Sequence, residues 1–255
     1  MEKLNNNLLQ QKLTSLPFRK IAPNIVTTLA LCAGVTSMRY AIMGLWGKAI
    51  VCIFLAALFD MLDGRVARML KGSTKFGAEL DSLSDFVSFG VAPAILMYQW
   101  TLSSFPKFGW LFAICMAMRL ARFNTMLEDE PQPVYWQNFF VGVPAPAAAA
   151  LGILPIMLSF EFPEATFLRS DWFCCVVMCV VAMLMVSRIP TVSTKHMKVP
   201  TYLVVPLIIV VVLFATMIIS SPWLVLSVST GLYALSIPVG VLFFLKAKRK
   251  AERRI

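Results

Sequence analysis

Residues 60–85 read DMLDGRVARMLKGSTKFGAELDSLSD and hold four of the six aspartates in a 255-residue chain that is 59% hydrophobic. Asp60, Asp63, Gly64, Ala67 and Arg68 follow i, i+3, i+4, i+7, i+8, so a helix presents all five on one face. Gly77, Asp81 and Asp85 follow i, i+4, i+8, with Ser84 and Ser88 on the same stripe. Gly72 breaks the run between the two patterns. The stretch predicts two helices in an antiparallel hairpin that gathers four carboxylates.

Its surroundings make that hairpin a membrane feature. A mean hydropathy of +0.77 is too high for an ordinary water-soluble domain. Eight apolar segments, at 24–44, 47–70, 78–100, 106–126, 139–160, 171–190, 200–220 and 222–246, are long enough to cross a bilayer; each crossing takes about 20 residues. The runs are continuous rather than alternating, and a spanning segment must satisfy its own backbone, so helices are expected and strands are not. The fold class is therefore all-α, a polytopic membrane bundle of about eight transmembrane helices in a single domain, 1–255. Pro144 and Pro146 are expected to kink the fifth helix.

With both termini on one side, that side receives 19 of the 23 lysines and arginines, leaving Arg39, Lys48, Lys107 and Arg169 opposite. The bias toward basic cytoplasmic loops then places both termini and the aspartates at the cytoplasmic face of the cell (inner) membrane. The net charge of +10 falls at membrane edges, where it fixes topology and meets anionic headgroups, so no nucleic-acid partner is implied. The tail KAKRKAERRI reads as such an anchor. Leu4, Leu8, Leu9, Leu13 and Leu16 share one helical face, which predicts an interfacial helix over 1–21, the alternative being a disordered leader. The six cysteines all fall in apolar spans without metal-site spacing and read as packing.

Clustered carboxylates oppose one another's ionisation, and desolvation adds to the opposition. Hard divalent cations, Mg2+ or Mn2+, are the natural remedy, and two of them would form a clamp for phosphoryl transfer. Asp60, Asp63, Asp81 and Asp85 are the carboxylates such ions would neutralise. Gly64 and Ala67 leave a bare helix surface for a ligand, and Arg68 offers a forked donor to a phosphate oxygen. A buried salt-bridge network would need about as many inward cations as acids; only Arg65, Arg68 and Lys71 are near, and Arg65 falls elsewhere on the helical wheel. A cation transporter would spread its acids over several helices near the midplane rather than pack them on one hairpin.

The pattern Asp60-x2-Asp63-Gly64-x2-Ala67-Arg68-x8-Gly77-x3-Asp81-x3-Asp85 resembles, at every fixed position, the signature of the CDP-alcohol phosphotransferases, integral membrane enzymes that join a CDP-activated lipid or alcohol to a second alcohol. PNIVTT at 23–28 is similar to the family's first-helix opening, although Asn24 and Thr27 there could equally form an interfacial cap. DSLSDFVSFGVAPA (81–94), RLARFN (119–124), FFVGVPAPAAAALGILP (139–155) and MVSRIPT (185–191) resemble the membrane-integral bacterial phosphatidylserine synthases. The resemblance spans a core at 22–220; residues 221–255, the last helix and basic tail, add little to it.

That resemblance implies the substrates CDP-diacylglycerol and L-serine among membrane lipids, giving phosphatidylserine and CMP, and a possible homodimer. It implies Asp60, Asp63 and Asp81 as metal ligands, and Asp85 as a ligand of a second ion and the general base. Asn24, Thr27, Asp63, Gly64, Ala67, Arg68 and Gly77 would bind the CDP-lipid. Arg119, Arg122 and Arg188 would meet the serine carboxylate, with Asn124 as a polar partner, though a role in topology explains the arginines nearly as well. Alternative products are phosphatidylglycerophosphate, phosphatidylinositol phosphate or phosphatidylcholine. Phosphorylated acceptors would want a denser basic pocket than these few arginines supply. His196 reads as solvated.

Overall fold

A computed structural model describes residues 18–70, 72, 74–128, 139–187, 189–192 and 204–252. Each of the eight apolar segments contains helix. The first two form α1 (Phe18–Ile42) and α2 (Trp46–Leu70), joined by a turn in which Gly44 takes a left-handed φ of 71°. The third is one continuous rod in three parts: α3 (Lys75–Asp85), a π-helical segment (Phe86–Val91) and α4 (Ala92–Trp100). Then come α5 (Pro106–Glu128), β1 (Phe139–Val141), α6 (Ala145–Gly152), α7 (Leu154–Glu161), α8 (Asp171–Val186), β2 (Pro190–Val192), α9 (Val204–Ser220) and α10 (Pro222–Glu252).

Among the described residues, three stretches are long and apolar enough to cross a membrane: Ile21–Ile42, Lys75–Trp100 and Pro222–Phe244. Asp171–Val186 and Ile209–Ser220 are shorter apolar helices. Three of the expected eight spans thus meet both conditions among the described residues. In α2 the shortfall comes from charge, since Lys48, Asp60, Asp63, Arg65 and Arg68 interrupt it. Residues 1–17, which hold most of the expected interfacial helix, lie outside the described residues, and 18–21 already belong to α1.

Two local expectations are corrected. Pro144 and Pro146 do not kink a long helix: Pro144 is the N-cap of α6 and Pro146 stands in its first turn, where a missing N–H costs nothing. The break falls later, at Ile153, and α7 again starts with a proline in its first turn. Strands were not expected, yet β1 and β2 form a short antiparallel ladder, Phe139 opposite Val192 and Val141 opposite Pro190. It pairs backbone groups at the start of one apolar segment with those at the close of another. Gly142 follows at φ 76°, its N–H donating to the Ile189 carbonyl at 2.8 Å.

The interior admits polar groups beside its apolar core, and large apolar side chains face outward. Thr27, Ser37, Asp63, Ser84 and Ser88 are buried, while Val35, Leu55, Leu58, Ile114 and Met183 face outward. With lipid outside, helices gain little by hiding apolar side chains and associate through small residues and hydroxyls instead. Ser37 Oγ donates to the Ala49 carbonyl at 2.8 Å, Ser84 Oγ to that of Thr27 at 3.3 Å and Ser88 Oγ to that of Ala30 at 3.2 Å. A Cβ on Gly34 would stand 2.8 Å from the Ser88 Cα, so α1 and the rod touch there at backbone range. All six cysteines are free, with Cys52, Cys174 and Cys175 buried, in keeping with packing roles.

These contacts reshape the expected hairpin. Its two arms, α2 and α3, both lean on α1 rather than closing along one another. The helix in between forms the wall of the cleft they share.

Candidate functional site

Asp60 and Asp63 sit on the last turns of α2, and Asp81 and Asp85 on α3. Thr74 starts α3 as its N-cap, its Oγ accepting from the Gly77 N–H at 3.0 Å. That cap fixes where the helix begins and so which side Asp81 faces. Oxygens of Asp60, Asp63 and Asp81 all lie within 4.8 Å of one another. Asp85 stands against Asp60, carboxyl to carboxyl, beside this trio rather than within it.

Asp63 is only 5% exposed, and its Oδ2 is buried with no hydrogen-bond partner. A buried carboxylate oxygen left so is costly unless something binds it. Three clustered oxygen donors and one orphaned lone-pair site suit a hard divalent cation. The residues present therefore fit a metal centre of that kind.

Beside the trio lies a cleft of about 130 Å³. Asn24 and Thr27 line it from α1, Asp63, Gly64 and Ala67 from α2, and Gly77 and Asp81 from α3. The cap reading of Asn24 and Thr27 falls away, because α1 starts at Phe18 and Thr27 Oγ donates to the Pro23 carbonyl at 3.1 Å. Gly64 and Gly77 do different work. A Cβ at Gly64 would meet nothing within 4 Å, so the cleft opens there over bare helix. A Cβ at Gly77 would stand 2.8 Å from Asn24 Oδ1, so this glycine is what lets α3 approach α1. Arg68 is exposed outside the cleft, its Nε donating to the Gly64 carbonyl at 3.0 Å.

The expected acceptor residues separate. Arg119 donates from Nε to the Val143 carbonyl at 2.6 Å, and its charge acts on Asp85, Asp60 and Tyr233. Asn124 donates from Nδ2 to Ser82 Oγ at 3.0 Å, tying α5 to the residue after Asp81. Arg122 shows no contact with the acids among the described residues, and Arg188 lies outside them. Sequence reading missed Thr74, Ser82, the Val143 carbonyl and Tyr233. Thr74 carried a signal, a capping residue after a glycine break and three before Gly77. Tyr233 carried none, since only the packing of α10 brings it to Arg119.

Residues 20–177 match the model of the CDP-alcohol phosphatidyltransferase family, and residues 202–238 match that of CDP-alcohol phosphatidyltransferase 2. The chain belongs to the CDP-alcohol phosphatidyltransferase family. It is 40% identical over 228 residues to a CDP-diacylglycerol–serine O-phosphatidyltransferase of Mycobacterium leprae, covering 87% of this chain and 75% of that one. The protein of that name from Mycobacterium tuberculosis is 38% identical over 226 residues, covering 87% and 78%. That from Helicobacter pylori is 33% identical over 216 residues, covering 83% and 86%. The match at 202–238 carries the similarity into α10, further than the sequence motifs reach.

Proposed function

We propose that the chain transfers the phosphatidyl group of CDP-diacylglycerol to the hydroxyl of L-serine, releasing phosphatidylserine and CMP. The observation that carries the reaction class is the trio of Asp60, Asp63 and Asp81, with the orphaned Asp63 oxygen, beside a cleft lined by the motif residues. Serine as acceptor is supported by the names of the relatives above.

In this reading Asn24, Thr27 and Gly77 hold the nucleotide end of the donor, and the open surface at Gly64 and Ala67 lets its diphosphate lie against α2. Two divalent cations, Mg2+ or Mn2+, held by Asp60, Asp63 and Asp81 with Asp85 sharing the second, would supply charge neutralisation for the diphosphate and the departing CMP. Asp85 takes the proton of the serine hydroxyl as its oxygen attacks the β-phosphorus. The new O–P bond replaces the bond to CMP, which leaves with the electron pair.

Arg119 is the residue we assign to the serine carboxylate. Its Nε is anchored on the Val143 carbonyl, which holds its charge within reach of Asp85 and leaves the outer nitrogens of the fork to take a carboxylate. Asn124 serves by bracing Ser82 and thus Asp81. Active site and termini face the cytoplasm in a membrane unit whose catalytic core is 22–220, where CDP headgroup and serine are supplied from water and the acyl chains stay in lipid.

The test is an acceptor panel. Membranes with the purified chain, CDP-diacylglycerol and Mg2+ or Mn2+ are given labelled serine, glycerol 3-phosphate, inositol phosphate or choline in turn. Phosphatidylserine and stoichiometric CMP are expected from serine alone; product from glycerol 3-phosphate and not serine overturns the acceptor. Arg119→Ala is expected to raise the serine KM more than that for CDP-diacylglycerol.

A further inference from the structure

A second cavity lies at the end of the bundle away from the acids. It measures about 450 Å³ and is lined by Trp46, Trp100, Ser159, Phe160, Thr166 and Arg169 among others. Trp46 precedes Asp60 by 14 residues on α2 and Trp100 follows Asp85 by 15 on the rod; at 1.5 Å per residue both separations are about 21–23 Å. The cavity is therefore no part of the aspartate cleft.

Arg169 is the one charged residue of its lining. The guanidinium lies 5.9 Å from the centre of the Trp100 ring, and Trp100 is itself buried, so the cation rests on a fixed platform. No carboxylate pairs with Arg169 among the described residues. The acid two positions on, Asp171, is engaged by Thr101, whose Oγ is 2.9 Å from Asp171 Oδ1 and 3.0 Å from the Arg169 carbonyl. Glu161 and Glu164 flank the cavity in sequence without lining it. An arginine stacked on one face still presents its N–H edge, which matches the oxygens of a phosphate.

The aromatic company sets the depth. Trp223 packs on Phe160 at 4.9 Å between ring centres and Trp172 on Phe105 at 5.8 Å, so four tryptophans gather at this end. Tryptophan collects where headgroups meet acyl chains. We infer that this cavity binds a membrane phospholipid, with its phosphodiester on Arg169 and its glycerol end against Trp46, Trp100 and Phe160. A free phosphate would find the arginine but leave the aromatic walls uncovered, so the lipid is the occupant.

Delipidated full-length chain in detergent is titrated with phosphatidylglycerol and bound lipid is counted by native mass spectrometry. Asp63→Asn serves as background, to remove lipid held through the aspartate cleft. Arg169→Gln is expected to weaken binding about tenfold, the scale of a hydrogen bond to a charged group, while Lys107→Gln, a cation outside the cavity lining, leaves it unchanged. Thr166→Glu, an exposed position on the same wall, should weaken it similarly by placing a carboxylate beside Arg169. Diacylglycerol, lacking the phosphate, should bind at least about tenfold more weakly, and millimolar inorganic phosphate should not displace the lipid. CMP release by Arg169→Gln and Thr166→Glu in the otherwise native chain reports that both fold. Wild-type affinity in both variants, equal binding of diacylglycerol, or displacement by inorganic phosphate would each overturn the site.

Discussion

The two ends of α2 are built on opposite rules, and so are the two ends of the rod beside it. At the aspartate end side chains are small or acidic, Gly64 faces open space, and a buried oxygen of Asp63 goes unpartnered. At the tryptophan end the space is walled by large rings, and the polar groups of Thr101 and Asp171 satisfy one another. The tryptophan end closes its polar groups on one another and rests its one cation, Arg169, on a ring; the aspartate end leaves a buried carboxylate oxygen with no protein partner. Local rules are broken where chemistry is done.

The contrast can be broken by substitution. Asp63→Asn and Asp81→Asn should each lower metal-dependent CMP release by about a thousandfold or more, the scale of losing electrostatic stabilisation at the reacting phosphate. Either variant keeping a tenth of wild-type activity removes that acid from the machinery. Asp85→Asn should abolish turnover yet retain CDP-diacylglycerol binding; normal turnover would dismiss it as the base.

The glycines give a sharper pair. Gly64→Leu should cut activity about a hundredfold by filling the cleft, the cost of a misplaced substrate, with an unchanged melting temperature because no protein atom is near. Gly34→Ala should do the reverse, costing about 1–3 kcal/mol as an overpacking change against Ser88, read as a lower melting temperature. A melting loss at Gly64 or none at Gly34 would blur the distinction.

The smallest effects are expected from single hydroxyl and amide links. Thr101→Ala, at the tryptophan end, should cost about 1 kcal/mol and leave kcat alone. Asn124→Ala should cost about 0.6 kcal/mol, typical of an interhelical bond in lipid, but lower kcat severalfold because it braces the turn that carries Asp81. Equal kcat in both variants would count against that bracing.

Much of the aspartate end was legible beforehand because helical spacing is a local property. Asp60, Asp63, Asp81, Gly64, Ala67 and Gly77 needed only the i, i+4 rule and a turn between. The helical segments were legible for the same reason, as continuous apolar runs. What escaped reading depends on which helix lies beside which. The wedge of α1 between the arms, the approach of Tyr233 to Arg119 and the Asn124–Ser82 link each join residues far apart in sequence. The β1–β2 ladder was hidden because β1 is the three-residue start of a run that reads as helix and β2 only begins where another such run stops. Arg68 met its helical register yet turned back on the Gly64 carbonyl, a rotamer choice that periodicity does not encode.

The wedge has a consequence for anyone who would move this chemistry elsewhere. A transplant of residues 46–100 into another bundle would carry every acid of the signature and still lack the face that Asn24 and Thr27 provide. Its glycine at 77 would meet whatever neighbour the new host happened to offer. The smallest portable unit begins upstream, at the helix that contributes no acid at all.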